Sequence, residues 1–274
     1  MAGESELREV RLEGDDGSSA AIRTQGATLT SWKTADGQER IFVSSTAKYE
    51  RGAAIRGGVP VCWPQFAMRG PLRQQHGFAR NSTWQVARQD KASVVLTLDE
   101  TTAKLAEGWS APFALEMEVS LGKDTLTQEL RVRNTDPTQS LSFTTALHTY
   151  FTVSDLPSVE ISGLQGLQYD DNARNGAIVT EQGDRVRIEG EVDRLYEAVP
   201  GAVELRHAGG GVRLLRHALP DVVVWNPAED KASRLADLSD WRGFVCIEAA
   251  HAAGAPVELA PGASWVGRQE MSKL

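Results

Sequence analysis

Cysteine is scarce in this sequence of 274 residues, which contains only Cys62 and Cys246, both in hydrophobic segments. Neither belongs to a CxxC pair or to a Cys/His cluster with metal-ligand spacing, which argues against a disulfide framework and a structural zinc site. No run of eighteen apolar residues occurs, so no membrane-spanning helix is predicted. The GxSxG, GxGxxG and GxxxxGK[ST] motifs are also missing, which disfavours a serine-hydrolase elbow and nucleotide-binding loops.

Basic residues are in deficit, with 29 Lys and Arg against 37 Asp and Glu and a formal net charge of -8. This balance disfavours a nucleic-acid or anionic-membrane partner, because affinity for phosphate backbones needs a basic field. An anionic ligand would therefore need a local cluster of arginines. Residues 1–13 are acidic and lack the basic and apolar regions of a signal peptide, so a cytoplasmic protein is predicted, with a removed transit peptide left open.

Hydrophobic residues make up 41% of the chain and charged residues 24%, enough for one large core, and we predict a single domain over residues 1–274. Period-two alternation dominates. It predicts a strand over residues 113–121 and a hairpin partner over 126–132, across a turn at 122–124. Further strand pairs are predicted at the following positions: 8–13 with 20–24, 30–33 with 39–43, and 203–205 with 212–215.

Helical signals are few. Asn226, Pro227 and Glu229 form an N-terminal capping pattern that predicts a helix running to Leu238. Residues 101–107 are a second candidate for a short helix. Because the strands recur at regular spacing without long helices between them, we predict an all-β fold, an antiparallel sandwich with a few short helices.

The segment 141–151 is predicted to be one strand, with His148 on the face opposite Leu147 and Phe151. On a concave sheet that face lines a cleft, whereas on a flat outer sheet it faces solvent. A lone histidine is more often a structural hydrogen-bonding residue than a functional one, so this strand leaves both interpretations open.

The segment 243–250 places Glu248 on one face of an otherwise apolar strand, together with Cys246. A carboxylate is rarely buried without a partner. Two interpretations follow: an ion pair with an arginine such as Arg242, or a general base whose surroundings tune its pKa.

Two loop segments, 56–66 and 75–80, contain adjacent glycines, prolines and two arginines, Arg56 and Arg80. The glycines allow the backbone to pass close to a ligand, and two guanidinium groups can bind one phosphate. The alternative is a pair of surface arginines without function. A metal site is not predicted, because His207, His217 and His251 have no ligand-like spacing.

Five motifs together resemble the hexose-6-phosphate mutarotases, or glucose-6-phosphate 1-epimerases, of the aldose 1-epimerase superfamily. They cover the chain from about residue 20 to about residue 265. In order, they are RGGVPVCWPQF at 56–66, HGFAR at 76–80, ALHTYF at 146–151, EVDRLY at 191–196, and VVWNPAEDKA leading to VCIEAA at 245–250.

The resemblance implies a galactose-mutarotase-like β-supersandwich. It also implies that His148 is the general acid and Glu248 the general base of anomer interconversion in hexose 6-phosphates. The substrate-binding residues that it implies are Arg56, Gln75, His76, Arg80 and Asp193. No cofactor or metal is expected, the partner is a small-molecule hexose 6-phosphate, and the superfamily suggests a monomer.

Two positions depart from the family pattern. Trp63 stands where the family often has phenylalanine, and the region of Asp170 to Asn172 lacks a lysine that is common there. Neither change removes a residue with an implied chemical role. A neutral-aldose epimerase and a non-catalytic sugar-phosphate sensor remain the alternatives.

Overall fold

The computed structural model describes residues 7–274; residues 1–6, which belong to the acidic amino terminus and to the predicted domain, lie outside the described residues. Twenty-one strands are described, and all their pairings are antiparallel. The strands are β1 (Glu9–Glu13), β2 (Ser19–Arg23), β3 (Thr28–Lys33), β4 (Val61–Cys62), β5 (Gln85–Gln89), β6 (Ser93–Asp99), β7 (Phe113–Gly122), β8 (Thr125–Asn134), β9 (Leu141–Phe143), β10 (Thr145–Leu147), β11 (Tyr150–Thr152), β12 (Glu160–Ser162), β13 (Gln168–Asp171), β14 (Ala177–Thr180), β15 (Val192–Tyr196), β16 (Val203–His207), β17 (Gly210–His217), β18 (Asp221–Asn226), β19 (Phe244–His251), β20 (Val257–Leu259) and β21 (Ser264–Lys273).

Two eight-stranded sheets form most of the structure. The first, called the site sheet below, has the order β14-β13-β15-β18-β19-β10-β4, with β11 also paired to β19. The second, called the back sheet, has the order β12-β16-β17-β21-β8-β7-β6-β5. A three-stranded sheet (β1-β2-β3) and a pair (β20-β9) complete the fold, which is the predicted antiparallel β-supersandwich.

The alternation of side chains explains why the two large sheets share a core. Val222, Val224 and Ile247 of the site sheet belong to the same buried cluster as Met117 and Leu130 of the back sheet. Burying a side chain of this size contributes about 1.5–3 kcal/mol. The inner face of each sheet therefore supplies the stability of the fold, and the outer face of the site sheet is left for other uses.

Most predicted strand pairs are confirmed, including the hairpin in which Phe113 lies opposite Asn134. The prediction that residues 39–43 form a strand paired with 30–33 is wrong. This segment makes only isolated bridges to three different partners, with Glu39 opposite Lys33, Ile41 opposite Phe151, and Val43 opposite Gly57. Because its partners change so quickly, the segment cannot form a continuous ladder.

The helix predictions are corrected by the structure. The only α-helix among the described residues, α1, covers Ala228–Ala232 and ends six residues before the predicted Leu238. The buried Asn226 accepts from the Ala228 amide and donates to the carbonyls of Trp241 and Phe244, which ties the segment to the start of β19.

Residues 101–107 form turns instead of a helix. Their start is fixed by the carboxylate of Asp99, which accepts hydrogen bonds from the amides of Thr101 and Thr102. Single 3₁₀ turns occur at Ala79–Asn81, Asn172–Arg174 and Trp241–Gly243. Within residues 7–274, no helix is both long and apolar enough to cross a bilayer.

The predicted single strand over 141–151 is divided into β9, β10 and β11. At the breaks, the amides of Thr144 and His148 donate to the carbonyls of Pro64 and Pro60. The proline-containing loop 56–66 therefore takes hydrogen bonds that a continuous strand would have used, and it fixes His148 between two short strands.

Candidate active site

The candidate site lies on the outer face of the site sheet, where the strand register brings its residues together. Asp193 lies opposite Trp225, which in turn lies opposite Cys246. Tyr150 continues this row on the other side of Cys246. In the next row, Glu248 lies opposite Val223. The strand ladder thus sets the positions of two carboxylates, a thiol and two aromatic rings.

The segment 56–80 covers this face, and two of its glycines are required by close backbone approaches. Gly57 has φ of +110°, and a Cβ there would clash with the backbone of Phe42 and Val43. Gly77 has φ of +67°, and its Cβ would clash with the carbonyl of Trp63. These glycines therefore serve approaches within the fold, where the sequence analysis expected an approach to a ligand.

A cavity of about 300 Å³ opens between the segment and the sheet, and it is lined by all seven predicted site residues. These residues are Arg56, Gln75, His76, Arg80, His148, Asp193 and Glu248. The volume lies at the lower end of the range typical for small-molecule sites. The structure therefore brings the predicted residues together, while their chemical roles stay predictions.

His148 and Glu248 form a buried pair, with His148 Nε2 3.4 Å from Glu248 Oε1. The Tyr150 ring stacks on the His148 imidazole with centroids 4.9 Å apart, and the Trp225 ring packs edge-on at 5.9 Å. The suggested ion pair between Glu248 and Arg242 is not formed, because Arg242 lies 3.8 Å from Glu229 on the surface.

Two polar atoms of this pair are buried without a hydrogen-bond partner in the described part of the chain: His148 Nδ1 and Glu248 Oε2. Buried polar atoms are almost always hydrogen-bonded in folded proteins, so each exception calls for an explanation. Since both residues line the cavity, a polar ligand there explains the unused capacity.

Burial disfavours the charged forms of both residues. It raises the pKa of Glu248 well above its ordinary value and lowers that of His148 well below its own. Nearby His76, Arg80 and Arg56 lower the pKa of His148 further. These shifts favour a neutral carboxylic acid beside a neutral imidazole, an arrangement that has the same total number of protons as a carboxylate beside an imidazolium.

His76 is also neutral, because burial and the charges of Arg80 and Arg56 lower its pKa to about 3. Its Nδ1 accepts a hydrogen bond from the Ala67 amide at 3.1 Å, so the neutral ring carries its proton on Nε2. The backbone at His76 has φ of +64°, a left-handed conformation that is uncommon outside glycine. The loop therefore holds His76 as a fixed hydrogen-bond donor.

Four cationic side chains line the cavity, and three of them have carboxylate partners. Arg69 pairs with Asp170 and Lys231 with Glu191. Arg56 donates to Asp237 at 3.1 Å and to the Tyr150 hydroxyl at 3.4 Å.

Arg80 differs from these three. Within residues 7–274 its guanidinium has no carboxylate within ion-pair distance, and its Nε is buried without a partner. Its one hydrogen bond runs from Nη2 to the carbonyl of Gln75. Arg80 is therefore the cation with the most unused capacity for an anionic ligand.

The sequence analysis missed several lining or supporting residues, among them Arg69, Tyr150, Asn172, Trp225 and Lys231. Asn172 donates to Asp193 at 3.0 Å, and Lys231 lies 3.6 Å from the same carboxylate. A signal existed only for the aromatic residues. Alternation in β18 places Trp225 on the face opposite the core residues Val222 and Val224, where an aromatic ring is unusual unless something covers it.

A larger cleft of about 870 Å³ lies elsewhere, beside Asp155, Arg187 and Trp241. The carboxylate of Asp155 already accepts hydrogen bonds from Ser154 and Ser158. No residue lining this cleft is a histidine or a buried carboxylate. The smaller cavity is therefore the better candidate for acid–base chemistry.

Comparisons with known proteins show the family to which this chain is similar. A family model described as aldose 1-epimerase matches residues 8–272. A relative from Cenchrus ciliaris, provisionally named glucose-6-phosphate 1-epimerase, is 38% identical over 98% of this chain and 86% of its own length. An Escherichia coli relative with the same provisional name is 34% identical over 85% of this chain and 80% of its own. A crystal structure of a provisionally named mutarotase from Salmonella typhimurium superimposes with a TM-score of 0.84 at 27% identity, covering 98% of this chain and 92% of that one.

Proposed function

The chain belongs to the aldose 1-epimerase family, and we propose that it interconverts the α and β anomers of D-glucose 6-phosphate. Family membership indicates an isomerase of the mutarotase type. The preference for a phosphorylated hexose is the finer step, and it rests on the names of the relatives and on the arginines of the cavity.

The observation that carries the proposal is the pair of His148 and Glu248, 3.4 Å apart in a cavity with an unpaired guanidinium. Opening a hemiacetal removes a proton from the C1 hydroxyl and delivers one to the ring oxygen. Both oxygens are bonded to C1, so the acid and the base must be neighbours. Rotation about the C1–C2 bond and reclosure then give the other anomer.

In this proposal, ionised Glu248 takes the hydroxyl proton and protonated His148 donates to the ring oxygen. The pKa shifts described above favour the other position of this proton, on Glu248, so that both Glu248 and His148 are neutral. A bound phosphate would offset the charges of Arg80 and Arg56, which are among the causes of the lowered pKa of His148. Because Arg80 also lowers the pKa of Glu248, the phosphate favours the protonated forms of both residues, and transfer of the proton from Glu248 to His148 is left to their contacts with the two substrate oxygens.

The phosphate would bind mainly to Arg80, with Arg56 as a second contact. Charge-assisted hydrogen bonds contribute about 1.5–3 kcal/mol each, enough for a strong preference over neutral sugar. Arg56 contributes less in this proposal because Asp237 already neutralises part of its charge. Gln75, His76 and Asp193 are proposed to bind the sugar hydroxyls. The reaction breaks and re-forms the bond between C1 and the ring oxygen with two proton transfers and no net change of oxidation state, so it requires no redox cofactor or covalent intermediate.

The test is the rate of anomer exchange by NMR saturation transfer, with glucose 6-phosphate and glucose at equal concentrations. Acceleration of the phosphosugar above the buffer rate, and well above glucose, is the expected result. Equal acceleration of both sugars would indicate a neutral-aldose epimerase. Binding of glucose 6-phosphate without acceleration would indicate a sensor and overturn the catalytic proposal.

Three further expectations keep their place as predictions from the sequence. They are a cytoplasmic location, a monomeric state and a single domain over residues 1–274. Size-exclusion chromatography with light scattering tests the second of these directly.

A further inference from the structure

Cys246 has no part in the proton transfers described above, yet its thiol lies beside the pair that performs them. His148, Cys246 and Glu248 are all buried, and one ligand atom of each lies within 4.8 Å of the others. The sequence analysis predicted no metal site, because His207, His217 and His251 have no ligand-like spacing, and it did not consider this cluster. The strand register, with β10 and β11 both paired to β19, creates this cluster.

The spacing of the cluster suits a tetrahedral metal ion. Zinc bonds of about 2.0–2.3 Å imply ligand atoms about 3.4–3.6 Å apart. His148 Nε2 and Glu248 Oε1 are 3.4 Å apart, and this separation is longer than a good N–H···O hydrogen bond. The thiol lies within 4.8 Å of one ring nitrogen of His148 and one carboxylate oxygen of Glu248, so it needs to move by about 1 Å to complete the third corner.

The surroundings also fit a three-ligand site with one open position. Among the described residues, Glu248 Oε2 has no hydrogen-bond partner, so no hydrogen bond at this oxygen prevents the carboxylate from binding an ion. Cys246 lies behind the cavity lining, whereas His148 and Glu248 line the cavity. A metal ion bound between them would therefore face the cavity with its fourth coordination position, where water can bind.

We propose that His148, Cys246 and Glu248 form a binding site for a borderline-soft divalent cation such as Zn²⁺, and that the bound metal inhibits the enzyme. Thiolate, imidazole and carboxylate form a ligand set typical of zinc. A metal held by Glu248 and His148 occupies the lone pairs of the carboxylate and the imidazole, so neither group can carry a proton in the proposed reaction. The inhibition rests on the proposed function, whereas the binding does not.

Binding is tested with Co²⁺, which gives a thiolate-to-cobalt charge-transfer absorption when a cysteine is a ligand. The wild-type protein should show this band at one Co²⁺ per chain and lose it on addition of Zn²⁺. Cys246→Ala should abolish the band. Cys62→Ala is the matched control, because Cys62 is equally buried but lies outside the cluster, and it should keep the band.

Several outcomes would overturn the site. They are a wild-type protein that shows no band, a band that persists in Cys246→Ala, or one that disappears in Cys62→Ala while its circular dichroism stays native. Cys246→Ser provides a second variant if the alanine variant does not fold. These readouts need no turnover, so they remain valid if the enzyme proves inactive on glucose 6-phosphate.

Inhibition is tested by anomer exchange with and without Zn²⁺. Zn²⁺ should stop exchange in the wild-type and Cys62→Ala proteins, and a chelator should restore it. Cys246→Ala should keep its uninhibited rate and require at least ten-fold more Zn²⁺ for half-inhibition. Cobalt binding that leaves the exchange rate unchanged would refute the inhibitory part and leave the site in place.

Discussion

The two faces of β19 are equally buried but differ in what their side chains do. On the inner face, Val245, Ile247 and Ala249 belong to the core between the two large sheets. On the outer face, Cys246 and Glu248 face the cavity side of the sheet. One strand thus contributes apolar packing on one side and acid–base chemistry on the other.

The difference between the two faces shows that burying a side chain does not by itself stabilise the fold. The inner side chains lose only contact with water, which is favourable for apolar groups. The carboxyl group of Glu248 also loses hydrogen bonds to water, and its Oε2 has no hydrogen-bond partner among the described residues to replace them. Burial raises the pKa of Glu248 for this reason. Burial of Glu248 therefore costs stability, and substrate contacts can offset that cost.

The largest expected effect is a loss of turnover, caused by substitutions of residues at the outer face of the site sheet. Glu248→Gln and His148→Gln should each lower kcat by about 10²–10⁴, the usual contribution of a general acid or base. KM should change little, because neither variant removes the phosphate contacts. Saturation-transfer NMR measures both constants. An unchanged kcat in either variant would refute the role of that residue.

Substitutions on the inner face of β19 should have the opposite effect, because they should lower stability and leave kcat nearly unchanged. Ile247→Ala should destabilise the fold by about 2–5 kcal/mol, because it leaves a cavity in the core between the sheets. Urea unfolding measures this change, and kcat per folded molecule should stay within a few-fold of the wild type. Ile247→Val, expected to cost about 0.5–1.5 kcal/mol, is the graded control. Loss of kcat without loss of stability would break the distinction between the faces.

The segment that covers the outer face should decide selectivity. Arg80→Met should lower the preference for glucose 6-phosphate over glucose by about 10–100-fold, which corresponds to the loss of one charge-assisted hydrogen bond. Arg56→Met should lower it less, because Arg56 is already paired with Asp237. The ratio of kcat/KM for the two sugars is the measurement. Full selectivity in both variants would show that the phosphate binds elsewhere.

Buried His76 predicts a pH dependence of stability. Its pKa is about 3 in the folded protein and 6.5 ordinarily, so the unfolded chain binds the extra proton between these values. The contribution of His76 to stability is therefore fully present above pH 6.5 and decreases as the pH drops, by up to about 1.4 kcal/mol per pH unit. His76→Asn, which tolerates the left-handed backbone, should remove that part of the slope. Identical slopes in urea unfolding at several pH values would contradict this.

The smallest expected effect is a change in stability when Glu248 is substituted. Because its pKa is raised in the folded protein, its contribution to stability is present below pH 4.5 and is lost as the pH rises. Glu248→Gln should therefore stabilise the empty protein near neutral pH by about 1 kcal/mol, with no gain near pH 4. Thermal unfolding at the two pH values shows the difference. A destabilised variant would mean that Glu248 supports the fold.

The sequence analysis succeeded where a structural signal is local. Alternation in 113–132 predicts a hairpin, and alternation in 243–250 places Glu248 on the face opposite Ile247, because side chains on a strand alternate whatever the strand packs against. It failed where distant segments compete for the same backbone groups. The break at His148 depends on the carbonyl of Pro60, which no pattern within 141–151 reveals.

The sequence by itself determined the all-β class, the faces of the long strands and, through the resemblance of five motifs, seven of the residues that line the cavity. Only the tertiary structure decided which arginine stays unpaired, which rings hold His148, and that the thiol of Cys246 lies beside the acid–base pair. These features depend on the register between strands that are far apart in the chain. In a hairpin the alternation of side chains and the turn set the register, whereas between distant strands a local pattern does not show which strands pair.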